Sequence, residues 1–555
     1  MLKKVLSFVL AVLMVSTFTT AFAELNPNDF FDADGNLLMP LSEEPITYTM
    51  AYQRANDDYH TIESKELLIN VAKDLNIHFD IQEIDSNSWT EKVNIMFASQ
   101  NLPDVLWGRI DNLANYIDQC YDITDLIPQY TRAIQKFLDE NPQYIQGESI
   151  GGRMYSFPSV VQSQNHAHKF SLAINQKWLD TLGLEMPKTI DELTDVLRAF
   201  VTKDPNGNGK NDEIGFSFVS GYGQGDVTAT LDYVRCLFGL LNNGENESKH
   251  DIMVEDGKVI FCPADIRYYD MLEWLHTCYE EGLIDKDGFT QTDADLLQKG
   301  TDDRLGFVLG GWHVYQSVSM DLYKNYVYFV PTPDRYGNIV VPRMLAPMDF
   351  YRHAFTITKD CKNPEYLIMM LEYINNDEVR QYSAFYGKGG VWEDDIVWNE
   401  DGTTDYGWWY TTIDGKTRIH NNNDHYPTDK AYPNYSSFRA SMVLGTGPHL
   451  ISKDLYAMGV VSEAQTFQRS REQFYSDYYY KEMFPFGQMS VDDSLKRSEM
   501  FVEIKSYLET FFSDAVINGI NESKWEQHLN NLKKLGIDEF ISDYQTLYDF
   551  LLAAQ

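Results

Sequence analysis

Short apolar strand patterns alternate with amphipathic helix patterns along most of this chain, and this alternation constrains the fold most strongly. Residues 45–50 alternate apolar and polar side chains, as a half-buried strand does. Residues 102–107 form a short buried-strand pattern. Between them, Ser88 and Glu91 have the spacing of a helix capping box, and Trp89 lies on the apolar stripe of the helix that follows. The alternation predicts an α/β fold with mostly parallel strands.

A run at positions 204–215 places oxygen-bearing side chains at alternate positions directly after a predicted helix. Calcium prefers six to eight oxygen ligands, and helix-bounded loops supply them in this order. Gly209 stands where such a loop turns sharply, but Gly215 replaces the usual final Glu. We therefore predict a structural calcium site rather than a sensor, and an Asn/Gly-rich surface turn without metal is the alternative. The predicted ligands are Asp204, Asn206, Asn208, the Lys210 carbonyl, Asp212 and Glu213.

Length and charge limit the classes of partner. A chain of 555 residues exceeds one hydrophobic core, so we expect two or more domains. The net charge of −38 argues against a nucleic-acid partner and against electrostatic attachment to anionic lipid. The five cysteines are scattered without metal-ligand spacing, which leaves both disulfides and buried free thiols open.

The first residues have the pattern of an export signal. Lys3 and Lys4 precede an apolar run at 5–15 and a small-residue cleavage site at 21–23. We expect a signal peptide over 1–23, a flexible lead over 24–44, and no transmembrane segment in the mature chain. No cysteine for lipidation stands at the cleavage point. We therefore expect export to the periplasm or the extracellular cell surface.

Four segments, in order along the chain, carry a family resemblance: residues 89–107 with their Ala-Ser-Gln-Asn-Leu-Pro-Asp-Val core, 177–193 followed by the calcium loop, 363–373, and 525–544. Together they resemble the family 1 extracellular solute-binding proteins, the carbohydrate-type receptors of ATP-driven importers. The loop at 204–215 is similar to that of alginate-type oligosaccharide receptors in this family.

This resemblance implies two α/β lobes joined by a hinge, with a large helical C-terminal portion. The boundaries it suggests are 45–160 for the first part of the N-terminal lobe and 161–310 for the first part of the C-terminal lobe. Residues 311–365 return to the N-terminal lobe, and 366–555 form the mainly helical remainder of the C-terminal lobe, with helical patterns at 454–512 and 525–551. The implied function is capture of an oligosaccharide and its delivery to an ABC transporter permease, by a monomer without catalysis.

Sugar binding needs aromatic platforms for the C–H faces and polar groups for the hydroxyls. Trp107 ends an apolar strand, and ligand crevices lie beyond the carboxyl ends of strands. Trp312 follows two glycines that permit close approach of a ligand, and an Asp with an Arg can bridge vicinal hydroxyls. Core aromatics and an exposed salt bridge are the alternatives. The predicted ligand-binding residues are Trp107, Trp312, Asp349, Arg352, Trp392, Trp408 and Trp409.

Trp408 and Trp409 lie in a polar stretch at 399–423 that we expect to be a loop. They would contact either the ligand or the transporter.

Two other functions are compatible with the sequence. A secreted acidic protein rich in aromatics could be a glycoside hydrolase with two catalytic carboxylates. The sequence has no His-Glu-x-x-His, Gly-x-Ser-x-Gly or phosphate-loop motif. A peptide-binding or surface-adhesion protein is the other alternative.

Overall fold

The structure is a computed structural model. It describes residues 25–55, 61–110, 113–162, 171–219, 231–241, 251–310, 314, 317–319, 321–341, 348–413, 415–422, 425, 427, 450–451, 459–460, 470, 474–482, 484–485 and 491–553. The predicted signal peptide and Trp312 lie outside these residues.

The described strands are numbered in chain order: β1 Ile46–Arg54, β2 Ile77–Asp85, β3 Val105–Trp107, β4 Phe157–Gln162, β5 Ser171–Asn175, β6 Ile214–Ser217, β7 Ile252–Glu255, β8 Lys258–Phe261, β9 Leu305–Gly310, β10 Tyr326–Tyr328, β11 Met348–Ile357, β12 Val391–Trp392, β13 Trp408–Ile413, β14 Lys416–Asn421, β15 Leu450–Ile451 and β16 Gly459–Val460. The described α-helices are α1 Glu66–Leu75, α2 Ser86–Ser99, α3 Leu126–Tyr130, α4 Ala133–Glu140, α5 Pro142–Glu148, α6 Gln176–Leu182, α7 Ile190–Thr202, α8 Ile266–Glu280, α9 Asp293–Thr301, α10 Pro364–Asn375, α11 Glu378–Tyr386, α12 Val491–Asn518, α13 Glu522–Lys534 and α14 Ile537–Ala553.

The first lobe is built on a six-stranded sheet in the order β15-β4-β11-β3-β1-β2. Strand alternation in β1 separates its two cores: Met50 and Tyr52 pack in one, and Ala51 packs in the other with Trp89. Trp89 is therefore a core residue, as its position on the helix stripe predicts.

The second lobe is built on a four-stranded sheet in the order β10-β5-β9-β6. Its hydrophobic core includes side chains from α7, α8 and the C-terminal helices. The prediction of mostly parallel strands fails for the pairings here, because β5 is antiparallel to both of its neighbours and only β6 and β9 pair in parallel. In the first sheet, β11 is antiparallel to β3 and β4. In each sheet, the strand that runs in the opposite direction is the first one after the chain has crossed between the sheets: β5 in the second and β11 in the first.

The chain passes from the first sheet to the second after β4 and returns before β11. The α/β two-lobed fold is confirmed, but individual boundaries differ from the expected ones. β10 lies in the second sheet although 311–365 was expected in the first lobe. Helix α10 packs in the first lobe's core although residues from 366 were expected in the second.

A smaller sheet in the order β12-β13-β14-β16 contains part of the stretch at 399–423. The expectation of a loop there is wrong, because Trp408 and Ile419 face a small core that also holds Tyr382 of α11. These strand-forming side chains outweigh the turn residues around them.

At the C-terminal end, α13 and α14 confirm the helical pattern at 525–551. A helical pattern was also predicted at 454–512. There the long described helix α12 begins only at Val491, and the short strand β16 lies before it in the chain.

The lead at 25–44 packs against the first lobe rather than extending from it. Tyr130 Oη donates to the Leu25 carbonyl at 2.7 Å, and the Arg132 guanidinium lies 4.2 Å from the Phe31 ring centre. Leu37 and Leu41 are buried. The five cysteines are all free and buried, which resolves the thiol question. Among the described helices, none is long and apolar enough to cross a membrane.

Candidate functional site

The predicted calcium loop follows α7, whose start is fixed by its N-cap. Thr189 Oγ1 accepts a hydrogen bond from Glu192 N at 3.2 Å, as the sequence pattern predicts. After α7 the backbone turns at Asp204, which has φ 47°. Gly207 and Gly209 have φ 73° and 76°, in the left-handed region that favours glycine. The chain then enters β6.

Side-chain oxygens of this loop turn inward and bind its backbone. Asp204 Oδ1 and Oδ2 accept from Asn208 N and Gly209 N, each at 3.0 Å. Asn206 Oδ1 accepts from Asn208 N at 2.9 Å, and Asn208 Oδ1 accepts from Lys210 N at 2.7 Å. The loop therefore brings several oxygen atoms to its inner side, which is the arrangement that a hard cation requires.

Glu213 provides a direct test of whether the loop suits a cation. The residue is only 8% exposed, and its two buried carboxylate oxygens have no hydrogen-bond partner among the described residues. Burial raises the pKa of the Glu213 carboxyl, and the negative charges of Asp204 and Asp212 raise it further. A buried carboxylate without a donor, next to other carboxylates, is costly unless a positive charge compensates it. The residues present therefore fit a calcium ion.

The loop is attached to the start of β9. Asn206 Nδ2 donates to the Asp303 carbonyl at 3.0 Å, and Arg304 Nε donates to the Asp212 carbonyl at 2.8 Å. These contacts fasten the loop to the second sheet. In the described part of the chain, this loop included, no three His, Cys, Asp or Glu side chains form a metal-binding group. The loop itself draws largely on Asn side chains and a backbone carbonyl, which such a group does not include.

The first predicted ligand-binding aromatic, Trp107, is fully buried. Its ring packs edge-on against Phe355 with centroids 5.1 Å apart, and Gly108 after it leaves room for the Trp89 ring. The placement corrects the prediction of direct contact, because this indole offers no surface to a ligand. An apolar strand end has the same sequence pattern in a core and in a cleft.

Trp408 is also fully buried, and the glycine-rich segment before β12 accommodates it. Trp408 Nε1 donates to the Gly387 carbonyl at 3.1 Å. A Cβ on Gly389 would lie 2.3 Å from Trp408 Cδ1. The prediction of ligand contact by Trp408 is corrected in the same way, since its ring is a packing element of the small sheet.

Trp409 is 1% exposed and stacks on His420 with ring centroids 4.2 Å apart. Its ring therefore packs inside the small sheet and offers no surface to a ligand in this structure. Trp392 differs, because it is 46% exposed and leans on Tyr410 with centroids 5.7 Å apart. Sequence reasoning missed Trp398, which is 40% exposed beside Trp409. It directly precedes the polar stretch and has no aromatic neighbour in the sequence.

Arg352 and Asp349 both lie on β11, which crosses the first sheet between β3 and β4. Asp349 is paired with Val161 of β4, and the structure describes only its backbone. Arg352 is half-buried. The structure thus places these two residues on one strand, Trp392, Trp408 and Trp409 in the small sheet, and Trp107 in the core between β1 and β11.

Next to Arg352 lies a buried polar cluster that sequence reasoning missed, formed by Glu148, Ser156 and His353. His353 Nδ1 lies 3.0 Å from Glu148 Oε1 and 2.8 Å from Ser156 Oγ. In a catalytic triad the serine and the carboxylate contact opposite ring nitrogens. Here both contact Nδ1, so this cluster does not have the geometry of a nucleophilic site. His353 is far from Glu148 and Ser156 in sequence, but Pro158 within β4 is a signal of irregular pairing nearby.

Comparisons with known proteins give the same family as the sequence segments. The family model described as bacterial extracellular solute-binding protein matches residues 70–247. The fructooligosaccharide ABC transporter substrate-binding protein FusA of Streptococcus pneumoniae is 27% identical over 539 residues, which cover 92% of this chain and 91% of FusA.

Solved structures show the same fold. FusA of S. pneumoniae in complex with kestose has a TM-score of 0.74 at 23% identity, covering 92% of this chain and 100% of that one. An EF-hand mutant of FusA in complex with fructo-nystose has the same TM-score, identity and coverage.

Proposed function

We propose that this chain, which the model of the bacterial extracellular solute-binding proteins matches over residues 70–247, captures an oligosaccharide between its two lobes and delivers it to an ABC transporter. The observation that carries the proposal is the similarity to FusA over nearly the full length of both chains. Two α/β lobes that close about a hinge enclose a ligand and present it as one closed form to the membrane subunits. The protein acts by binding and release rather than by chemistry.

The proposed ligand class is a neutral oligosaccharide, with fructooligosaccharides as the first candidates. FusA is named for that class. A chain with a net charge of −38 repels a strongly anionic sugar at long range, whereas a neutral chain of hexoses meets no such barrier.

The proposed ligand contacts are Trp392, Trp312, Asp349 and Arg352. Trp392 supports this role through its exposed ring, which offers a face for the C–H surface of a sugar. Arg352 and Asp349 would supply the polar edge for the hydroxyls. Trp107, Trp408 and Trp409 are proposed to support these contacts from the core.

The proposed calcium ion is structural. The buried Glu213 carboxylate without a donor supports it, together with the inward oxygens of the loop. The ion would supply a positive charge next to the buried Glu213 carboxylate, and its ligands would be Asp204, Asn206, Asn208, the Lys210 carbonyl, Asp212 and Glu213. The FusA neighbour carries a feature described as an EF-hand.

The proposed setting is outside the cytoplasmic membrane, as a monomer that meets its permease there. The export-signal pattern at 1–23 and the extracellular character of the family support this location.

A titration with kestose tests the proposed function. In calcium-containing buffer, kestose and longer fructooligosaccharides should raise the midpoint of thermal unfolding and give a saturable calorimetric isotherm, because a ligand that binds only the native state stabilises it. Chromatography of the same samples should find the sugar intact. Release of shorter sugars would show a glycoside hydrolase. Stabilisation by peptides and by no saccharide in a broad glycan set would overturn the proposal in favour of a peptide-binding protein.

A further inference from the structure

The strand that carries Asp349 and Arg352 has a break in its pairing directly after Arg352. Tyr351 pairs with Ser159 and Phe355 pairs with Phe157, so the three residues between them on β11 lie opposite the single residue Pro158 of β4. Proline has no N–H and cannot donate to the ladder. The extra residues therefore form a bulge, a feature that redirects the side chains beside it.

His353 at the centre of the bulge has a backbone that its residue type rarely adopts. Its φ is 54°, in the left-handed region, and its side chain is buried. Such a conformation persists only where neighbouring groups hold it. The bulge therefore needs a partner outside the β4–β11 ladder.

Glu148 is that partner. Its carboxylate accepts from His353 N at 3.1 Å to Oε1 and 3.2 Å to Oε2. His353 Nδ1–H is directed to the same Oε1 at 3.0 Å, and Ser156 Oγ donates to it as well. The Glu148 carboxylate thus accepts hydrogen bonds from both the backbone amide and the imidazole of His353.

The position of Glu148 is unfavourable for a charged side chain, which indicates a specific role. It is the last residue of α5, where the helix dipole disfavours negative charge, and it is 1% exposed. A buried carboxylate is tolerated there because several donors converge on it.

The bulge also holds the segment after Trp107. Gly108 N donates to the Ala354 carbonyl at 2.9 Å, and Ile110 N donates to the His353 carbonyl at 3.3 Å. One carboxylate therefore fixes the stretch of backbone that joins Arg352 to the carboxyl end of β3.

We propose that Glu148 is a positioning residue for oligosaccharide binding: it locks the His353 bulge and thereby sets the direction of the β11 segment that carries Asp349 and Arg352. This inference rests on the proposed function. Glu148 itself does not touch the ligand. A change at Glu148 alters affinity through β11, without removal of any group that contacts sugar.

A matched control lies in the same lobe. Glu372 of α10 is also 1% exposed and accepts from two backbone amides, Ala133 N at 2.8 Å and Ile134 N at 3.1 Å, but it holds the start of α4. E148Q and E372Q thus make the same chemical change in equivalent burial. S156A is a milder change that removes one donor from Glu148 and leaves the carboxylate in place.

The experiment measures kestose affinity by calorimetry and the unfolding midpoint for the wild type and these variants. We expect E148Q to weaken kestose binding about fivefold or more, S156A to weaken it less, and E372Q to stay within about twofold of wild type. E148Q and E372Q should lose comparable thermal stability. Equal kestose affinity in E148Q and E372Q would overturn the positioning role.

A second readout does not depend on the ligand. Hydrogen exchange at Gly108 and Ile110, whose amides donate to the bulge, should accelerate in E148Q and not in E372Q. If the wild type binds no saccharide, the proposed function fails. Unchanged exchange in folded E148Q or S156A overturns the positioning role whatever the ligand.

Discussion

The imidazole of His528 lies flat against the Phe511 ring, with centroids 3.8 Å apart and planes inclined by 8°. Its Nε2–H donates to the Pro263 carbonyl at 2.8 Å, and Tyr507 Oη lies 3.0 Å from Nδ1. A carbonyl can only accept, so the neutral ring carries its proton on Nε2 and accepts from Tyr507 at Nδ1. Protonation would place a donor on Nδ1 as well, so Tyr507 Oη would change from donor to acceptor. The contact joins α12 and α13 to the segment before α8, and protonation would bury a positive charge at this junction.

The first prediction is that acid destabilises this contact. Burial lowers the pKa of His528 from its ordinary 6.5 to about 4. The unfolded chain then binds a proton that the folded chain does not, so stability is fully present above pH 6.5 and falls as the pH drops toward 4. The loss should reach up to about 3 kcal/mol. Urea unfolding across this pH range measures it.

The control for this prediction is H528Q. Glutamine can still donate to the Pro263 carbonyl but does not titrate. The variant should be less stable than wild type at pH 7 and should lack the His528 part of the decline below pH 6.5. Equal slopes for the two proteins would contradict the prediction.

The sequence predicted best those elements whose local pattern is compatible with only one structure. Thr189 caps α7 as its spacing predicts, and Trp89 is buried as its helix position predicts. The earlier capping pattern at Ser88 misplaced its helix by a short distance, because α2 already begins at Ser86 after Asp85. A capping pattern shows that a helix begins nearby, and the cap is fixed only by the backbone.

The candidate ligand site was less predictable, because a buried aromatic and a ligand-binding aromatic share the same local pattern. Trp392 and Trp408 each come shortly after glycine, yet the Trp408 ring fills the space above Gly389 and the Trp392 ring is exposed. Glu148 and His353 are 205 positions apart. Such pairs depend on sheet order, which no local spacing encodes.

The second prediction concerns removal of calcium. Chelation should lower the unfolding midpoint of wild type, since an ion at about 100 times its Kd contributes about 2.7 kcal/mol. E213Q should show the reverse pattern, because it removes the buried charge that the ion offsets. It should be more stable than wild type in chelator and less stable in calcium, as thermal unfolding in both buffers will show. Kestose affinity should change less than stability, since the loop is fastened to the start of β9, whereas Trp312 follows its end.

An exposed acidic turn provides the control for calcium. Asp401 Oδ1 accepts from Thr403 N at 3.0 Å, as the loop carboxylates do, but lies at the surface. D401N should leave the calcium response intact. A wild-type midpoint that is the same in calcium and in chelator would remove the calcium proposal.

The third prediction tests the exposed aromatic platform. W392A should weaken kestose binding about tenfold, which corresponds to about 1.4 kcal/mol and to the loss of one aromatic contact. Its unfolding midpoint should change little, because Trp392 is 46% exposed. Y336A removes another exposed ring, 64% exposed, in the loop after β10, and it should bind kestose as wild type does. Equal affinities for the two variants would exclude Trp392 from the site.

The last prediction concerns the packing beneath that platform. In G389A the new Cβ would meet Trp408 Cδ1 and Nε1 at 2.3 Å, inside a core that cannot widen without moving β13. We expect a loss of about 2 kcal/mol or more in stability. Kestose binding should weaken as well, because Trp392 of β12 pairs with Tyr410 of the displaced strand. G402A is the control: its Cβ meets nothing within 4 Å, so only its φ of 80° adds a cost of about 1 kcal/mol. Urea unfolding followed by tryptophan fluorescence separates the two, and similar losses in both variants would show that Trp408 moves aside freely.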